Sequence, residues 1–252
     1  MNSKIALITG GNRGLGKSMI LHLASQGCDA LFTYRSHREE AEAVIKEVEA
    51  LGAKAVALPL DMAKNESFAT FAAEVKTLLA ETWQRQQFDF LVNNAGIGLN
   101  SLISETSEAQ FDQLMAIHLK GPFFLTQQLL PLIADGGRIL NLSSGLTRFA
   151  SPGYAAYAMM KGGIEVFSHY LAKELGPRRI SVNTLAPGAI ATDFRDGAIR
   201  DSKEMSGFVA AQTALGRVGQ PEDIGGVVAA LLSPQSGWIN AQRIEASGGM
   251  FL

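Results

Sequence analysis

The sequence has very little cysteine and no block of like charge. One cysteine, Cys28, stands among 252 residues, so no intrachain disulfide or cysteine-rich zinc site can form, and we interpret Cys28 as a small buried apolar side chain. The 4 histidines have no ligand spacing, which predicts no metal site. With 22 Lys and Arg against 24 Asp and Glu, the net charge is -2, and we expect no nucleic-acid partner.

Long hydrophobic runs are also lacking. The longest charge-free stretch, Ile224 to Gln242, is interrupted by Pro234 and Asn240, and its continuous apolar part ends at Leu232. The apolar run Ile5 to Thr9 is too short for a signal peptide. We therefore expect no membrane span, no membrane partner and a cytoplasmic location.

Apolar residues, at 47% of the chain, are abundant enough for a sizeable core. Short apolar or β-branched runs alternate with longer segments of helical periodicity, which predicts an α/β fold with a doubly wound, seven-stranded parallel sheet and helices on both faces. No repeat or linker divides the chain, so residues 1–252 are expected to form one domain. The predicted strands are Ile5 to Thr9, Ala30 to Thr33, Ala55 to Leu60, Phe90 to Asn93, Ile139 to Leu142, Ile180 to Leu185 and Arg243 to Ala246.

Two segments between the strands carry apolar residues at helical spacing with charged residues opposite. They run from His37 to Leu51 and from Ser67 to Trp83, and we expect both to be surface helices. We interpret Trp83 and Trp238 as packing residues. The buried stripe of the second helix is predicted to be Phe68, Phe71, Val75 and Leu78.

A glycine-rich turn, Thr9 to Gly16, follows the first predicted strand and precedes a helix. A bound phosphate needs a turn without Cβ atoms in its way, inward-pointing N–H groups and the positive end of a helix. Alone, such a turn can be an ordinary tight connection, but after the first strand of a βαβ unit it predicts dinucleotide binding and a Rossmann-type fold. The residues expected to bind the cofactor here are Gly10, Asn12, Arg13, Gly14, Leu15 and Gly16.

The tip of the second strand predicts which dinucleotide is bound. An acidic residue there binds the ribose 2′-hydroxyl of NAD, whereas arginine accepts the 2′-phosphate of NADP. The strand ends Tyr34-Arg35-Ser36 without a carboxylate, and Arg13 can reach the same phosphate from the glycine turn. Each arginine taken singly fits a solvated surface side chain equally well. Their joint placement predicts NADP(H), with Tyr34, Arg35 and Ser36 in the site.

Tyr157 and Lys161 form a Tyr-x-x-x-Lys pair at the start of a predicted helix. Residues four apart share a helix face, so Lys161 can lower the pKa of Tyr157, as a general acid–base near neutral pH requires. Ser144 follows the strand Ile139 to Leu142, where α/β sheets bind ligands, and its hydroxyl can donate to a substrate carbonyl. Taken alone, the Tyr157–Lys161 pair could be one face of an amphipathic helix, and Ser144 could be a helix or turn cap. Taken together, the three residues predict proton transfer to a substrate carbonyl.

Over its whole length the sequence resembles the short-chain dehydrogenase/reductase family, and it is similar to bacterial 3-oxoacyl-[acyl-carrier-protein] reductases and their relatives. The resemblance implies the fold and the reaction, but no particular substrate. The matching pieces are Thr9 to Gly16, Asp61, Asn93 to Gly96, Ser144, Tyr157 with Lys161, Pro187-Gly188 with Thr192, and Arg217 to Asp223.

The resemblance also implies individual roles. Ser144 would polarise the substrate oxygen, Tyr157 would act as acid–base, and Lys161 would bind the nicotinamide ribose and lower the tyrosine pKa. Asp61 would contact the adenine, and the cofactor itself would carry the hydride. The further residues expected beside the cofactor are Met62, Asn94, Ala95, Gly96, Pro187, Gly188, Ile190 and Thr192.

One position departs from the family's pattern. Five residues before Phe123, the family usually has an asparagine whose backbone carbonyl holds a water of the proton relay, whereas this sequence has His118. If only the carbonyl is used, histidine can replace asparagine, and we count His118 among the candidate catalytic residues. The alternative is a packed or partly exposed helix histidine without a role in the relay.

These observations predict an NADPH-dependent oxidoreductase that transfers a hydride between the nicotinamide and a small-molecule carbonyl or alcohol substrate. An NADP(H)-binding protein without turnover, such as a redox sensor or a scaffold subunit, is the alternative that His118 suggests. Residues 191–216 are rich in small and polar residues and are predicted to form a mobile substrate lid. The helical segments 117–132 and 155–175 are apolar on more than one face, which predicts a homo-oligomer, a tetramer or a dimer.

Overall fold

A parallel sheet of seven strands runs through residues 3–252, the part of the chain that the computed structural model describes. The strand order is β3-β2-β1-β4-β5-β6-β7, which confirms the predicted doubly wound sheet. The strands are β1 (Ile5–Ile8), β2 (Asp29–Tyr34), β3 (Ala55–Pro59), β4 (Phe88–Asn93), β5 (Ile133–Leu142), β6 (Ser181–Pro187) and β7 (Arg243–Ala246).

Helices cover both faces of the sheet. Helices α1 (Gly14–Ala24), α2 (Arg38–Ala50) and α9 (Pro221–Leu232) pack on one face of the sheet. Helices α3 (Phe68–Trp83), α5 (Gly121–Leu129) and α6 (Ala155–Leu175) pack on the other face. No helix within residues 3–252 combines the length and the apolar character needed to cross a membrane. The other helices of the described chain are α4 (Glu108–Met115), α7 (Ala198–Asp201) and α8 (Lys203–Ala211).

The core lies in two layers, one on each side of the sheet. All four residues of β1 are fully buried, as expected where helices cover both faces of a parallel sheet. Ile5 and Leu7 face the layer under α3, α5 and α6, whereas Ala6 and Ile8 face the layer under α1, α2 and α9. This alternation is the two-residue period of a strand, and it explains why the predicted strand is continuously apolar.

Three details of the sequence-based predictions differ from the structure. Strand β5 begins at Ile133 rather than Ile139, because an irregular stretch around Gly136, which has a positive φ of 76°, interrupts its pattern. In α3 the buried stripe ends with Leu79 and not with Leu78. Leu79 lies four residues after Val75 and therefore on the same face of the helix.

The third difference concerns Trp238. The prediction that it is a packing residue is wrong within a single chain, because its side chain is 100% exposed in the turn after α9, where no other part of the described chain covers it. Trp83 is half-buried and donates its indole N–H to Asp29, at 2.9 Å. Cys28 is buried as predicted, and burial raises the pKa of its thiol to about 12.

The sheet changes winding direction between β1 and β4. From β1 the chain moves outward through β2 to β3, and β4 then starts the other half on the opposite side of β1. The loops that leave the carboxyl ends of β1 and β4 therefore diverge to opposite faces and leave a crevice between them. Doubly wound folds bind their ligands at this point, and the glycine-rich turn after β1 lies there.

Candidate active site

A cleft of about 1100 Å³ opens at the carboxyl ends of the strands, over this crevice. Of the residues predicted from sequence to form the site, all but Tyr34 line it. Strand alternation explains the exception, because Thr33 faces the cleft and Tyr34 packs against the core on the side of α1 and α2. The residues that line the cleft as predicted are Gly10, Asn12, Arg13, Gly14, Leu15, Gly16, Arg35, Ser36, Asp61, Met62, Asn94, Ala95, Gly96, His118, Ser144, Tyr157, Lys161, Pro187, Gly188, Ile190 and Thr192.

The glycine-rich turn has the features of a phosphate cradle. Gly10 and Gly14 have positive φ values of 68° and 55°, which L-residues with a Cβ rarely adopt. A Cβ on Gly16 would collide with the carbonyl oxygen of Gly10. At the start of α1 the N-cap residue Arg13 makes no side-chain cap, so its side chain satisfies none of the first N–H groups of the helix. The turn therefore presents backbone donors and a helix N-terminus to the cleft.

Hydrogen bonds join this turn to the loop after β4. The side-chain amide of Asn94 donates to the carbonyl oxygens of Thr9 and Gly10, at 2.9 and 3.0 Å. In return the Thr9 hydroxyl accepts from the backbone N–H groups of Asn94 and Ala95, at 3.0 and 2.9 Å. These four bonds hold the two sides of the crevice at a fixed separation.

Arg13 and Arg35 line the far end of the cleft, with Asn12 and Ser36 beside them. The Asn12 amide donates to a carboxylate oxygen of Glu40 at 2.8 Å. Sequence reasoning missed Glu40, because it belongs to α2 and comes near the cleft only through the tertiary fold. The cleft thus has two guanidiniums here, with Glu40 engaged by an amide and a carboxylate oxygen of Asp193 at 4.0 Å from the Arg13 guanidinium.

Helix α6 carries Tyr157 and Lys161 on the face that is buried against the sheet. Their exposed fractions are 9% and 5%, and Ser144 follows β5 on the same wall of the cleft. The Lys161 ammonium donates to the backbone carbonyl of Leu142 at 2.7 Å, and its Nζ lies 5.6 Å from the centre of the Tyr157 ring. The helical spacing thus brings the pair together at a strand end, beside a serine hydroxyl.

Burial is the main cause of the pKa shifts of Tyr157 and Lys161. It raises the pKa of Tyr157 well above its usual value, and polar contact with the Ser144 side chain only partly opposes that shift. It lowers the pKa of Lys161 to about 8. The lowering of the tyrosine pKa that the sequence predicts from Lys161 does not arise within the protein itself, since the ammonium is directed to the Leu142 carbonyl. Tyr157 therefore holds its proton at neutral pH.

His118 lies in a π-helical turn, Ala116–Lys120, between α4 and α5. Its imidazole is 1% exposed, and its Nε2 lies 2.8 Å from the carbonyl oxygen and 3.2 Å from the backbone nitrogen of Ile97. Nδ1 is buried and has no hydrogen-bond partner among the described residues. Burial and the nearby Lys161 charge lower the pKa of His118 to about 3, so the ring is neutral at physiological pH. A Cβ on Gly96 would lie 2.6 Å from the ring, which explains the glycine there.

Sequence reasoning also missed an aromatic and cationic group near Tyr157. The ring of Phe194 lies 6.2 Å from the ring of Tyr157. The next residue, Arg195, stacks over the ring of Tyr154 at 5.3 Å and donates to its hydroxyl. No motif marks these residues; the only signal is their membership of the segment predicted to be a lid. That segment contains α7 and α8, and part of it lines the cleft.

Across residues 3–252, no three His, Cys, Asp or Glu side chains are grouped so that they could hold a metal ion.

Comparisons with known proteins agree with this geometry. A family model described as enoyl-(acyl carrier protein) reductase matches residues 10–251. The 3-oxoacyl-[acyl-carrier-protein] reductase FabG of Staphylococcus aureus (strain Mu50) is 36% identical over 253 residues, which cover 99% of this chain and 99% of that protein.

Solved structures give the same result. A short-chain dehydrogenase/reductase from Serratia marcescens superimposes with a TM-score of 0.90 at 31% identity, over 99% of this chain and 98% of that one. The angucycline C-6 ketoreductase LanV, crystallised with bound NADP, superimposes with a TM-score of 0.93 at 34% identity, over 98% of this chain and 95% of that one. Because these matches extend over almost the whole chain, the protein belongs to the short-chain dehydrogenase/reductase family of oxidoreductases.

Proposed function

We propose that the protein is an NADPH-dependent carbonyl reductase, which reduces a small-molecule ketone or aldehyde and oxidises the corresponding alcohol with the same groups. One observation carries this proposal. Ser144, Tyr157 and Lys161 converge on the cleft that also holds the glycine-rich turn, so a dinucleotide in the turn and a substrate near Tyr157 would share one space. When bound, NADPH supplies the hydride.

The residues of the cleft fit such a cofactor. The uncapped start of α1 and the glycines without Cβ atoms suit the diphosphate. Arg13 and Arg35 suit the 2′-phosphate, because a guanidinium matches a phosphate dianion in charge and geometry. The bound NADP of the related ketoreductase LanV is in keeping with this choice. Asp61 would contact the adenine, and Ile190 and Thr192 the carboxamide.

The protein's own groups would handle the proton. Ser144 donates a hydrogen bond to the substrate oxygen and Tyr157 donates the proton to it. A tyrosine whose pKa is raised by burial stays protonated until negative charge develops on the substrate oxygen, so it is poised for reduction. Lys161 would hold the nicotinamide ribose with its ammonium group, which lies 5.6 Å from the centre of the Tyr157 ring.

His118 is part of the proposed proton path. Nε2 lies 2.8 Å from the Ile97 carbonyl oxygen and 3.2 Å from the Ile97 backbone nitrogen. With the imidazole proton on Nε2 the shorter of these two hydrogen bonds is made, because a carbonyl oxygen can only accept, and Nδ1 is left as an acceptor. This buried lone pair can hold a hydrogen-bond donor of the path that returns a proton to Tyr157. The π-helical turn is in keeping with this role, since such turns are frequent at functional sites.

The test is consumption of NADPH by the purified chain with a panel of ketones and aldehydes, followed by the loss of nicotinamide absorbance. Tyr157→Phe should lower turnover by about 10²–10⁴-fold and leave NADPH affinity nearly unchanged. Tyr170→Phe is the matched control, because Tyr170 lies on the same helix with 66% of its side chain exposed. If Tyr157→Phe kept more than about a tenth of the wild-type rate, the result would contradict the proposal.

A second pair of variants tests the cofactor role of the lysine. Lys161→Ala should weaken both turnover and NADPH binding, whereas Lys173→Ala, on the exposed side of α6, should change neither. The alternative function, binding without turnover, predicts NADPH affinity in the wild-type protein with no loss of nicotinamide absorbance for any carbonyl compound.

A further inference from the structure

The substrate end of the cleft contains one guanidinium that the proposed reaction does not use. Arg195 lines the cleft, is half-buried, and donates to the hydroxyl of Tyr154. Its guanidinium also stacks over the Tyr154 ring, 5.3 Å from the ring centre. A guanidinium carries a permanent positive charge, and here that charge lies against the Tyr154 ring.

This charge has no ionic partner in the part of the chain that the structure describes. The nearby Arg200 pairs with both Asp193 and Asp201, but no such pair includes Arg195. Asp196 and Glu204 also line the cleft, and both are exposed to solvent, where water and salt weaken their attraction for the guanidinium. A half-buried guanidinium without a paired carboxylate is suited to bind an anion.

Arg195 is also close to the reacting group. Its neighbour Phe194 contacts the ring of Tyr157, with centroids 6.2 Å apart. Gly98, on the opposite loop, leaves room for both side chains, since a Cβ there would collide with Arg195 and lie within 3 Å of the Phe194 ring. Arg195 therefore belongs to a segment that contacts Tyr157, the residue that the substrate carbonyl would meet.

We propose that Arg195, held in place by Tyr154, binds a carboxylate of the substrate, so that the preferred substrates are oxo acids with an apolar or aromatic body. This inference rests on the proposed carbonyl reduction and names its substrate class. The apolar body would lie against the hydrophobic lining of the same cleft, which includes Phe149, Phe208, Met250 and Phe251. The guanidinium would form a bidentate hydrogen-bonded pair with the substrate carboxylate and so orient the substrate carbonyl.

The experiment compares each acid with its own methyl ester. Phenyl-substituted 2-oxo, 4-oxo and 5-oxo acids and their esters are reduced with NADPH by the full chain, and kcat/KM is measured for each. The best acid should exceed its ester by roughly tenfold or more. Arg195→Met should remove that preference by lowering kcat/KM for the acid about 10- to 100-fold, with the ester changed by less than about threefold.

Three further measurements separate the explanations. Arg200→Met is the matched control, because Arg200 lies in the same segment but is already paired, and it should keep the preference for the acid. Tyr154→Phe, which keeps the ring but removes the hydroxyl, should weaken the preference partially. The NADPH dissociation constant of Arg195→Met should equal that of the wild type; a weaker NADPH affinity would mean that Arg195 binds the cofactor.

Equal kcat/KM for acids and esters in the wild type would overturn the inference. An equal loss of kcat/KM for acids and esters in Arg195→Met would also overturn it. That result would mean that Arg195 only holds its segment in place over the cleft. If no carbonyl compound is turned over, the proposed function has failed. In that case calorimetric binding of each acid and ester to the NADPH-loaded protein still tests the anion site, with tighter binding of the acid lost in Arg195→Met.

Discussion

The imidazole of His118 meets the ring of Tyr157 edge-on, with the centroids 5.1 Å apart and the ring planes at 81°. Such a T-shaped contact is a favourable geometry for two aromatic rings, and here it fixes the tilt of the side chain proposed to donate the proton. The other edge of the imidazole is anchored to the backbone of Ile97. His118 therefore couples the loop after β4 to the orientation of Tyr157.

This coupling leads to a prediction about catalysis. His118→Phe keeps an aromatic ring against Tyr157 but removes both nitrogens, so we expect kcat to fall about tenfold or more while NADPH affinity stays within about threefold. The pH profile of kcat should also change, because the path that returns a proton to Tyr157 is altered. His118→Asn, whose side-chain amide can again accept and donate hydrogen bonds, should retain more of the rate than His118→Phe. Wild-type kcat and an unchanged pH profile in His118→Phe would assign His118 to packing alone.

A second prediction concerns stability in acid. The pKa of His118 is about 3 in the folded chain and near 6.5 when the histidine is free, so below pH 6.5 the unfolded chain binds a proton that the folded chain does not. The free energy of unfolding should therefore decrease as the pH falls from 6.5 towards 3, by up to about 1.4 kcal/mol per pH unit from this residue.

Urea unfolding at several pH values in this range measures the effect. His118→Asn should show a shallower decline than the wild type, whereas His169→Asn, a change at an exposed position of α6, should follow the wild type. Parallel curves for the wild type and His118→Asn would mean that the buried imidazole is protonated in the folded protein.

The cofactor preference gives a third prediction. Arg35→Asp places a carboxylate where a 2′-phosphate would lie, so the ratio of kcat/KM for NADPH to that for NADH should fall by about tenfold or more. Arg38→Asp is the control, since Arg38 is exposed, pairs with Glu42 and does not line the cleft. Equal efficiency with both cofactors in the wild-type protein would refute the proposed role of Arg13 and Arg35.

A fourth prediction concerns assembly. Phe123, Val166 and Tyr170, on α5 and α6, have 43%, 57% and 66% of their surface exposed, which is unusual for large apolar side chains grouped on neighbouring helices. We expect two copies of the chain to pair through these helices, and the exposed Trp238 and Leu252 to support a second interface in a tetramer.

Light scattering coupled to gel filtration measures this directly. The wild type should have twice or four times the chain mass of 26.9 kDa, and the double variant Val166→Asp, Tyr170→Asp should shift towards 26.9 kDa. Leu51→Asp is the control, because Leu51 is 48% exposed at the end of α2, away from these helices. A wild-type protein that elutes at the mass of one chain would rule the oligomer out.

Much of the fold and of the candidate site follows from short-range patterns in the sequence. The apolar run of β1, the glycines that follow it and the spacing of Tyr157 and Lys161 each depend on neighbours within one turn or one strand, so local geometry is enough to predict them. The predicted order of strands and helices then places these pieces at the carboxyl edge of one sheet, where they meet.

Other features were decided only by the tertiary structure, because they depend on residues that are distant in the chain. Tyr154 and Arg195, which are 41 positions apart, come together only when the segment after β6 folds across α6. The neutral state of His118 depends on burial and on the charge of Lys161, and the raised pKa of Tyr157 depends on burial. Local spacing determined which residues can act together, whereas desolvation and long-range packing determined their charge states and their partners.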